Sequence, residues 1–349
     1  MRWYVGYGQR TVHPAPDPPD PPVVVIGASA GGVEALIKLV SGLDPTMEAA
    51  VVVVLHLPAT GNSVLPDILR RAGSLPVVSA TNGQPLEPGC IIVAPPDHHV
   101  LVEDGTIVLD HGPRENGSRP AADPLFRSAA RAGASRVIGV VLSGALDDGV
   151  AGLRAIKDAG GVAIVQDPND AVTPSMPATA LAHVPVDHVV PAGGLAQLLL
   201  RLVPEVRARP ADVKQSTDNP NDDREIRSPD EMPGRPSSLT CPECGGAMWE
   251  DGQGDLLRFR CHVGHSYSAE SMLELHGDSV ETAMWTALRV LEERKHFLDG
   301  LADRQRRRGN EYAARGFDRR ARGVEQRVDV LRRAIAHGET AADQSEVAS

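Results

Sequence analysis

The chain has 349 residues, 42% of them hydrophobic, enough for a large packed core and a smaller module besides. Its formal net charge of −11, from 35 basic and 46 acidic residues, argues against a general binder of nucleic acid or of anionic membranes. No apolar run is as long as a membrane span, and four cysteines are too few for a disulfide framework at this length, so a cytoplasmic protein without membrane insertion is expected.

Residues 1–22 are dense in proline and lack both an apolar core and a cleavage pattern, so they read as a disordered leader and not as a signal peptide. From Val23 onward, β-rich apolar runs alternate with helical patterns. The runs are VVVIG (23–27), VVVVLHL (51–57), LPVVSA (75–80), IIVAP (91–95), VIGVVLSG (137–144) and VAIVQD (162–167). They are continuously apolar, as parallel strands covered on both faces should be. Between them lie GVEALIKLVSGL, SVLPDILRRAG, DPLFRSAARAGA, GVAGLRAIKDAGG and SMPATALAHV, several of which stop at glycine. HHVLVEDGTIVLDHG (98–112) differs: two alternating runs flank Asp104-Gly105, a hairpin signal. The sum over residues 23–204 is an α/β domain, a doubly wound, mostly parallel sheet with one inserted hairpin.

Residues 205–239 are polar and proline-punctuated and read as a linker. A module over 240–338 follows. CPECGG (241–246) and RCHVGH (260–265) form C-x2-C, sixteen residues, then C-x3-H. Two thiolates from one turn and two ligands from another can close a tetrahedral Zn2+ site, here Cys241, Cys244, Cys261 and His265; adjacent His262 would be strained. Four protein ligands leave no open position, so the metal is expected to be structural. Two amphipathic stretches come next, with Met284, Leu288, Leu291 and Leu298 on one face and Val324, Val328, Leu331 and Ile335 on the other, divided near Gly309-Asn310. Residues 301–335 hold 11 arginines and 5 acids, but few aromatics interleave. They read as solvated faces of a helical hairpin that docks a partner or pairs with itself. Residues 339–349 read as a loose tail.

Chemistry-bearing residues gather at strand ends. Ser29 closes VVVIGASAGG; G-A-S-A-G fits a G-x-S-x-G elbow, and the helix starting near Gly32 aims its N–H groups at the serine. That suits an oxyanion and also a phosphate. A dinucleotide fingerprint would want glycine where Ser29 stands, and a P-loop would want Gly-Lys-Ser/Thr, so nucleotide binding ranks last. His56 closes the second run, and Asp147 and Asp148 follow the run ending at Gly144. Singly, the histidine reads as a loop residue and an aspartate as an N-cap worth about 1 kcal/mol. Together they lie at one edge of one sheet, where open α/β folds place their catalysts. Cys90 reads as a core thiol, His98 and His99 as exposed, and Asp123 as an N-cap.

VVVIGASAGGVEAL, VVVVLHLP, PAADPLFRSAA, LSGALDDGVAGLRAIKDAGG and VQDPNDAVTPSMPATAL, in that order over about Val23 to Val203, resemble the chemotaxis protein-glutamate methylesterase family (CheB type). The resemblance implies a serine nucleophile at Ser29, a base at His56 and an orienting carboxylate at Asp148 instead of Asp147. It implies ester hydrolysis through an acyl-enzyme on methylated glutamates of methyl-accepting chemotaxis receptors, a glutamine deamidase side activity, and no cofactor for catalysis. Ala30 stands where the family often has threonine, and Ser143-Gly144-Ala145-Leu146 where it has a T-G-M-G-like stretch. The family commonly carries a receiver domain before the catalytic one. Only 22 residues precede the first strand here, so that control is expected to be absent, with activity either constitutive or set by a separate regulator or by the C-terminal module. The competing reading is a non-catalytic signalling scaffold that docks partners through the zinc and helical module.

Overall fold

The computed structural model describes residues 21–61, 63–209, 232–251 and 256–346; the expected leader and most of the expected linker lie outside them. The described residues fall into two compact units, one from the residues up to Leu239 with Gly246–Ser268, the other from Thr240–Gly245 with the residues from Ala269 onward.

The first unit opens with β1 (Val23–Ala28), α1 (Gly32–Ser41), β2 (Ala50–Leu55), α2 (Leu65–Ala72), β3 (Val77–Ser79) and β4 (Ile91–Val93). A hairpin follows, β5 (His99–Glu103) with β6 (Thr106–Asp110), then α3 (Ala122–Gly133), β7 (Val137–Val141), α4 (Val150–Asp158), β8 (Val162–Gln166), α5 (Ser175–His183), β9 (His188–Val190) and α6 (Ala192–Arg207). Seven strands form one sheet in the order β3-β4-β2-β1-β7-β8-β9, and every recorded pair in it is parallel. This is the expected doubly wound architecture. The β-branched runs are buried on both faces: Val24, Ile26, Val51 and Val53 pack with α1, α2 and α6, while Val23, Val25, Val52 and Val54 pack with α3, α4 and α5. Alternate residues of one strand thus feed two cores.

The hairpin turns at Asp104 (φ 46°) and Gly105 (φ 71°), the left-handed pair that a two-residue hairpin loop demands. Two elements of residues 21–209 went unread in the sequence. Strand β9 has three residues, half-exposed or exposed, at the sheet edge. Helix α6 opens on two glycines and contains Pro204, which disguise its apolar stripe from Leu195 to Val206.

A second sheet, in the order β10-β11-β12-β13, comprises β10 (Arg235–Thr240), β11 (Ala247–Glu250), β12 (Arg258–Cys261) and β13 (Ser266–Ser268). β10 begins inside the stretch that reads as linker; its residues are half-exposed or exposed throughout. In the second unit, α7 (Ala269–Arg307) and α8 (Glu311–Glu346) pack along Leu288, Leu298, Ala321, Val324, Val328 and Ile335, with Met284, Leu291 and Leu331 partly buried beside them. The chain turns between them at Gly309 (φ 74°), and the Asn310 side chain accepts the Ala313 N–H as a helix cap. Among the described residues no helix is long and apolar enough to cross a membrane.

Candidate active site and metal-binding group

Strand order reverses around β1: β2 lies on one side and β7 on the other. Crevices beyond the carboxyl ends of strands form at such points. Ser29 follows β1 and His56 follows β2, one step past the Ala28–Leu55 register pair. The His56 N–H donates to the Ala28 carbonyl at 3.1 Å, so the two side chains leave adjacent strands at the same level. Ser29 in turn donates its N–H to Ser143 O, beyond β7, at 3.0 Å.

The turn around Ser29 is tightly held. Gly31 adopts φ 72° as the residue before α1, a left-handed conformation that glycine takes without penalty. The buried Ser143 hydroxyl donates to Ala30 O at 2.7 Å and accepts the Thr173 N–H at 2.9 Å. At Gly144 a Cβ would fall 2.0 Å from Met176 Sδ and 2.9 Å from the Ser29 Cβ, so only glycine lets the β7 loop approach the serine. The amino terminus of α1 faces this turn, a favourable place for developing negative charge.

His56 Nε2 lies 2.7 Å from Asp148 Oδ2. The carboxylate is only 2% exposed and the imidazole 18%. Three further donors converge on Asp148: Ala122 N at 2.5 Å, Asp123 N at 3.3 Å and the Asn116 side-chain amide at 3.2 Å. Burial alone would raise its pKa. The hydrogen bond and charge of His56, with the Ala122 and Asp123 N–H groups, outweigh it and hold the carboxyl down, at about 2. Asp148 therefore stays charged. The structure joins His56 to Asp148; no hydrogen bond links the Ser29 and His56 side chains among the described residues. In ligand-free sites the nucleophile–base contact is often long.

Two single-residue readings change. Asp123 is not an N-cap: Ala121 occupies the N-cap position of α3, with no side-chain cap, and the Asp123 carboxyl is buried, accepting the Gly152 N–H at 2.7 Å. Burial, and then the charge of Asp148, push its pKa up, to about 7. His99 is 2% exposed, not a surface residue; it contacts Pro113 O at 3.0 Å and takes the Ala121 N–H at 3.3 Å, tying the hairpin to the start of α3. Asp147 is buried as well and accepts the Ser268 hydroxyl at 2.6 Å, not a contact of His56. Cys90 packs partly buried against the second core. Asn116 and Glu115 drew no notice in the sequence; only the Asn116-Gly117 step, a turn signal, marks that loop.

Cys261 and His265 approach one another, Sγ to Nδ1 3.6 Å, and the Cys241 turn closes with the Gly245 N–H on Cys241 O. The donor atoms of Cys241, Cys244, Cys261 and His265 lie within 4.8 Å of one another. A zinc tetrahedron with bonds of about 2.3 Å has edges of about 3.8 Å, so this group fits the ion after a small contraction. His265, and not His262, is the histidine of this group.

The family model described as CheB methylesterase matches residues 24–199. A protein of Leptospira interrogans named "Putative protein-glutamate methylesterase/protein-glutamine glutaminase" is 37% identical over 180 residues, which are 51% of this chain and 93% of that protein. "Protein-glutamate methylesterase/protein-glutamine glutaminase 2" of Anaeromyxobacter dehalogenans is 38% identical over 180 residues, 52% of this chain and 53% of that one. The crystal structure of the Thermotoga maritima CheB methylesterase catalytic domain superposes with a TM-score of 0.50 at 32% identity, covering 52% of this chain and 98% of that one.

Proposed function

Because the chain belongs to the CheB methylesterase family, we propose that it is a serine hydrolase that demethylates glutamate methyl esters on the cytoplasmic part of methyl-accepting chemotaxis receptors. The catalytic residues in this reading are Ser29, His56 and Asp148, and the catalytic domain spans residues 23–204. The observation that carries it is the 2.7 Å bond between the imidazole that follows β2 and the buried carboxylate beyond β7, one strand position from a serine at the head of a helix.

The His56–Asp148 contact supports one tautomer in this reading. Nε2 faces Asp148, so Nε2 carries the proton that the carboxylate accepts, and Nδ1 is the free base. Ser29 Oγ attacks the ester carbonyl of a methylated glutamate side chain while Nδ1 takes its proton. The oxyanion forms at the amino terminus of α1, where the dipole favours it. The imidazolium is stabilised by Asp148, which remains ionised. It returns the proton to the departing methanol, and water activated by the same nitrogen releases free glutamate and restores Ser29. The same steps on a glutamine side chain would expel ammonia, more slowly because an amide is the poorer electrophile. No cofactor takes part.

The Cys241, Cys244, Cys261 and His265 group suits a structural Zn2+, which would fix the turns that carry its ligands and leave no open coordination position.

The test is methanol release from a methylated receptor fragment. Ser29→Ala and His56→Ala should each lower kcat about a millionfold, and Asp148→Asn roughly ten-thousandfold. Equal rates in wild type and the first two variants would reject the reading in favour of a non-catalytic scaffold.

A further inference from the structure

The loop between β6 and α3 holds a residue that touches both the proposed catalytic carboxylate and the small sheet. Asn116 is 8% exposed and takes φ 50°. Its side-chain NH2 donates to Asp148 Oδ1 at 3.2 Å and lies 3.4 Å from Asp123 Oδ2. Its side-chain oxygen accepts the Ser268 N–H at 3.0 Å. Its own N–H donates to Ser266 O at 2.8 Å.

These contacts fix which way the amide points. An Asn side chain has one acceptor end and one donor end, and a half-turn exchanges them. Here the end of β13 supplies a backbone N–H that only the oxygen can accept. The NH2 is thereby committed to the carboxylates. Without that N–H the amide could turn its oxygen toward Asp148, placing acceptor against acceptor in a buried site.

The surroundings show a joint that is built and not incidental. Glu115, the preceding residue, sits between Arg127 of α3 at 2.5 Å and Arg258 of β12 at 3.0 Å, with its side chain 7% exposed. Arg258 also donates to the Ser266 hydroxyl at 3.0 Å. Ser268 donates its hydroxyl to Asp147, the neighbour of Asp148. Of the four donors on Asp148, the Asn116 amide is the one whose aim depends on β13.

We propose that Asn116 is a positioning residue of the esterase reaction, holding Asp148 in the orientation that presents it to His56, and that the β12–β13 hairpin sets the aim of Asn116. This rests on the triad reading above. On this view the small sheet is part of the catalytic apparatus, and whatever disturbs it changes turnover without touching substrate.

The experiment compares the full chain with Asn116→Ala, Asn116→Asp and Ser268→Pro, the last removing the N–H that orients the amide. Ester hydrolysis is followed with a methylated receptor fragment, Ser29 reactivity with an organophosphonate, and the imidazole N–H shared with Asp148 by proton NMR. The expected result is a kcat lower by about a hundredfold in all three, with KM unchanged and labelling of Ser29 slowed in parallel. The downfield resonance of the imidazole N–H should shift or broaden. Asn116→Asp keeps the shape of the side chain and replaces the donor by an acceptor, so it separates lost aim from lost packing. Wild-type kcat and an unmoved resonance in Asn116→Ala and Asn116→Asp would overturn the proposal, provided Ser29→Ala is inactive. If Ser29→Ala is as active as wild type, the triad reading fails first and takes this proposal with it.

Discussion

Two carboxyl groups, Asp148 and Asp123, lie buried near one another at this site, and they have opposite fates. Asp148 collects four donors and keeps its charge. Asp123, fully buried next to that charge, holds its proton to about pH 7, against 3.8 in an ordinary environment. The folded chain therefore binds this proton more tightly than the unfolded chain does. Between 3.8 and about 7 the contribution of Asp123 to stability declines as pH rises, and above that window the full penalty is present. The Asp148 shift has the other sign: its contribution is present above 3.8 and fades as pH falls toward about 2. Asp123→Asn removes the first effect and keeps an acceptor for the Gly152 N–H. Its Tm should gain on wild type between about pH 5 and about pH 8; a constant difference across that range would show that Asp123 is ionised throughout. The proposed triad of Ser29, His56 and Asp148 stands out in the sequence because each closes or follows an apolar run, a position that sequence pattern exposes. Asp123 was misread because a carboxyl near a helix start is normally a cap, and its burial depends on α4 packing over it. Asn116 left only the turn signal of the Asn116-Gly117 step: its partners Asp148 and Ser268 are 32 and 152 positions away.

At the scale of elements, strands covered on both faces were the plainest to read. β1, β2, β7 and β8 are wholly buried and appear as unbroken β-branched runs. β9 and β10 present no such run, because an edge strand and an exposed strand need not be apolar. The β12–β13 turn is short and its sheet small, so the apolar burial available to hold it is limited to residues such as Phe259 and Tyr267. Elements of this size normally need a staple. The Cys and His group at the same turn supplies the donors for one. Metal analysis of the purified chain should find one zinc per molecule. Cys261→Ser should lose it, and a strong chelator should lower the Tm of the wild type and leave the Tm of that variant unchanged. An unaltered melting curve in chelator together with no bound metal would leave the turn to be held by its hydrogen bonds alone.

For the molecule as a whole, composition located the polar stretch 205–239 but could not say where the segments after it belong. The division at that stretch suggested an α/β domain and a separate module. Instead Gly246–Ser268 is counted with the α/β unit, while Ala269 onward forms the other. The reason is the joint at Glu115 and Asn116, whose buried polar groups find their partners in β12 and β13. Buried polar atoms are costly without partners, so such a joint binds the segments despite its small area. Both cores of the seven-stranded sheet are nevertheless built almost wholly from residues before Arg209. The matched region, moreover, makes up nearly all of the Leptospira relative. A chain of residues 21–209 should therefore melt cooperatively, yet turn over about a hundredfold more slowly at unchanged KM, because Asn116 has lost the groups that aim it. A chain of residues 21–268 retains those groups and the four metal-binding side chains, and should keep the full rate. Equal kcat in the two truncated chains would reduce the small sheet to a passenger; a slow 21–268 chain would instead assign the missing contribution to α7 and α8.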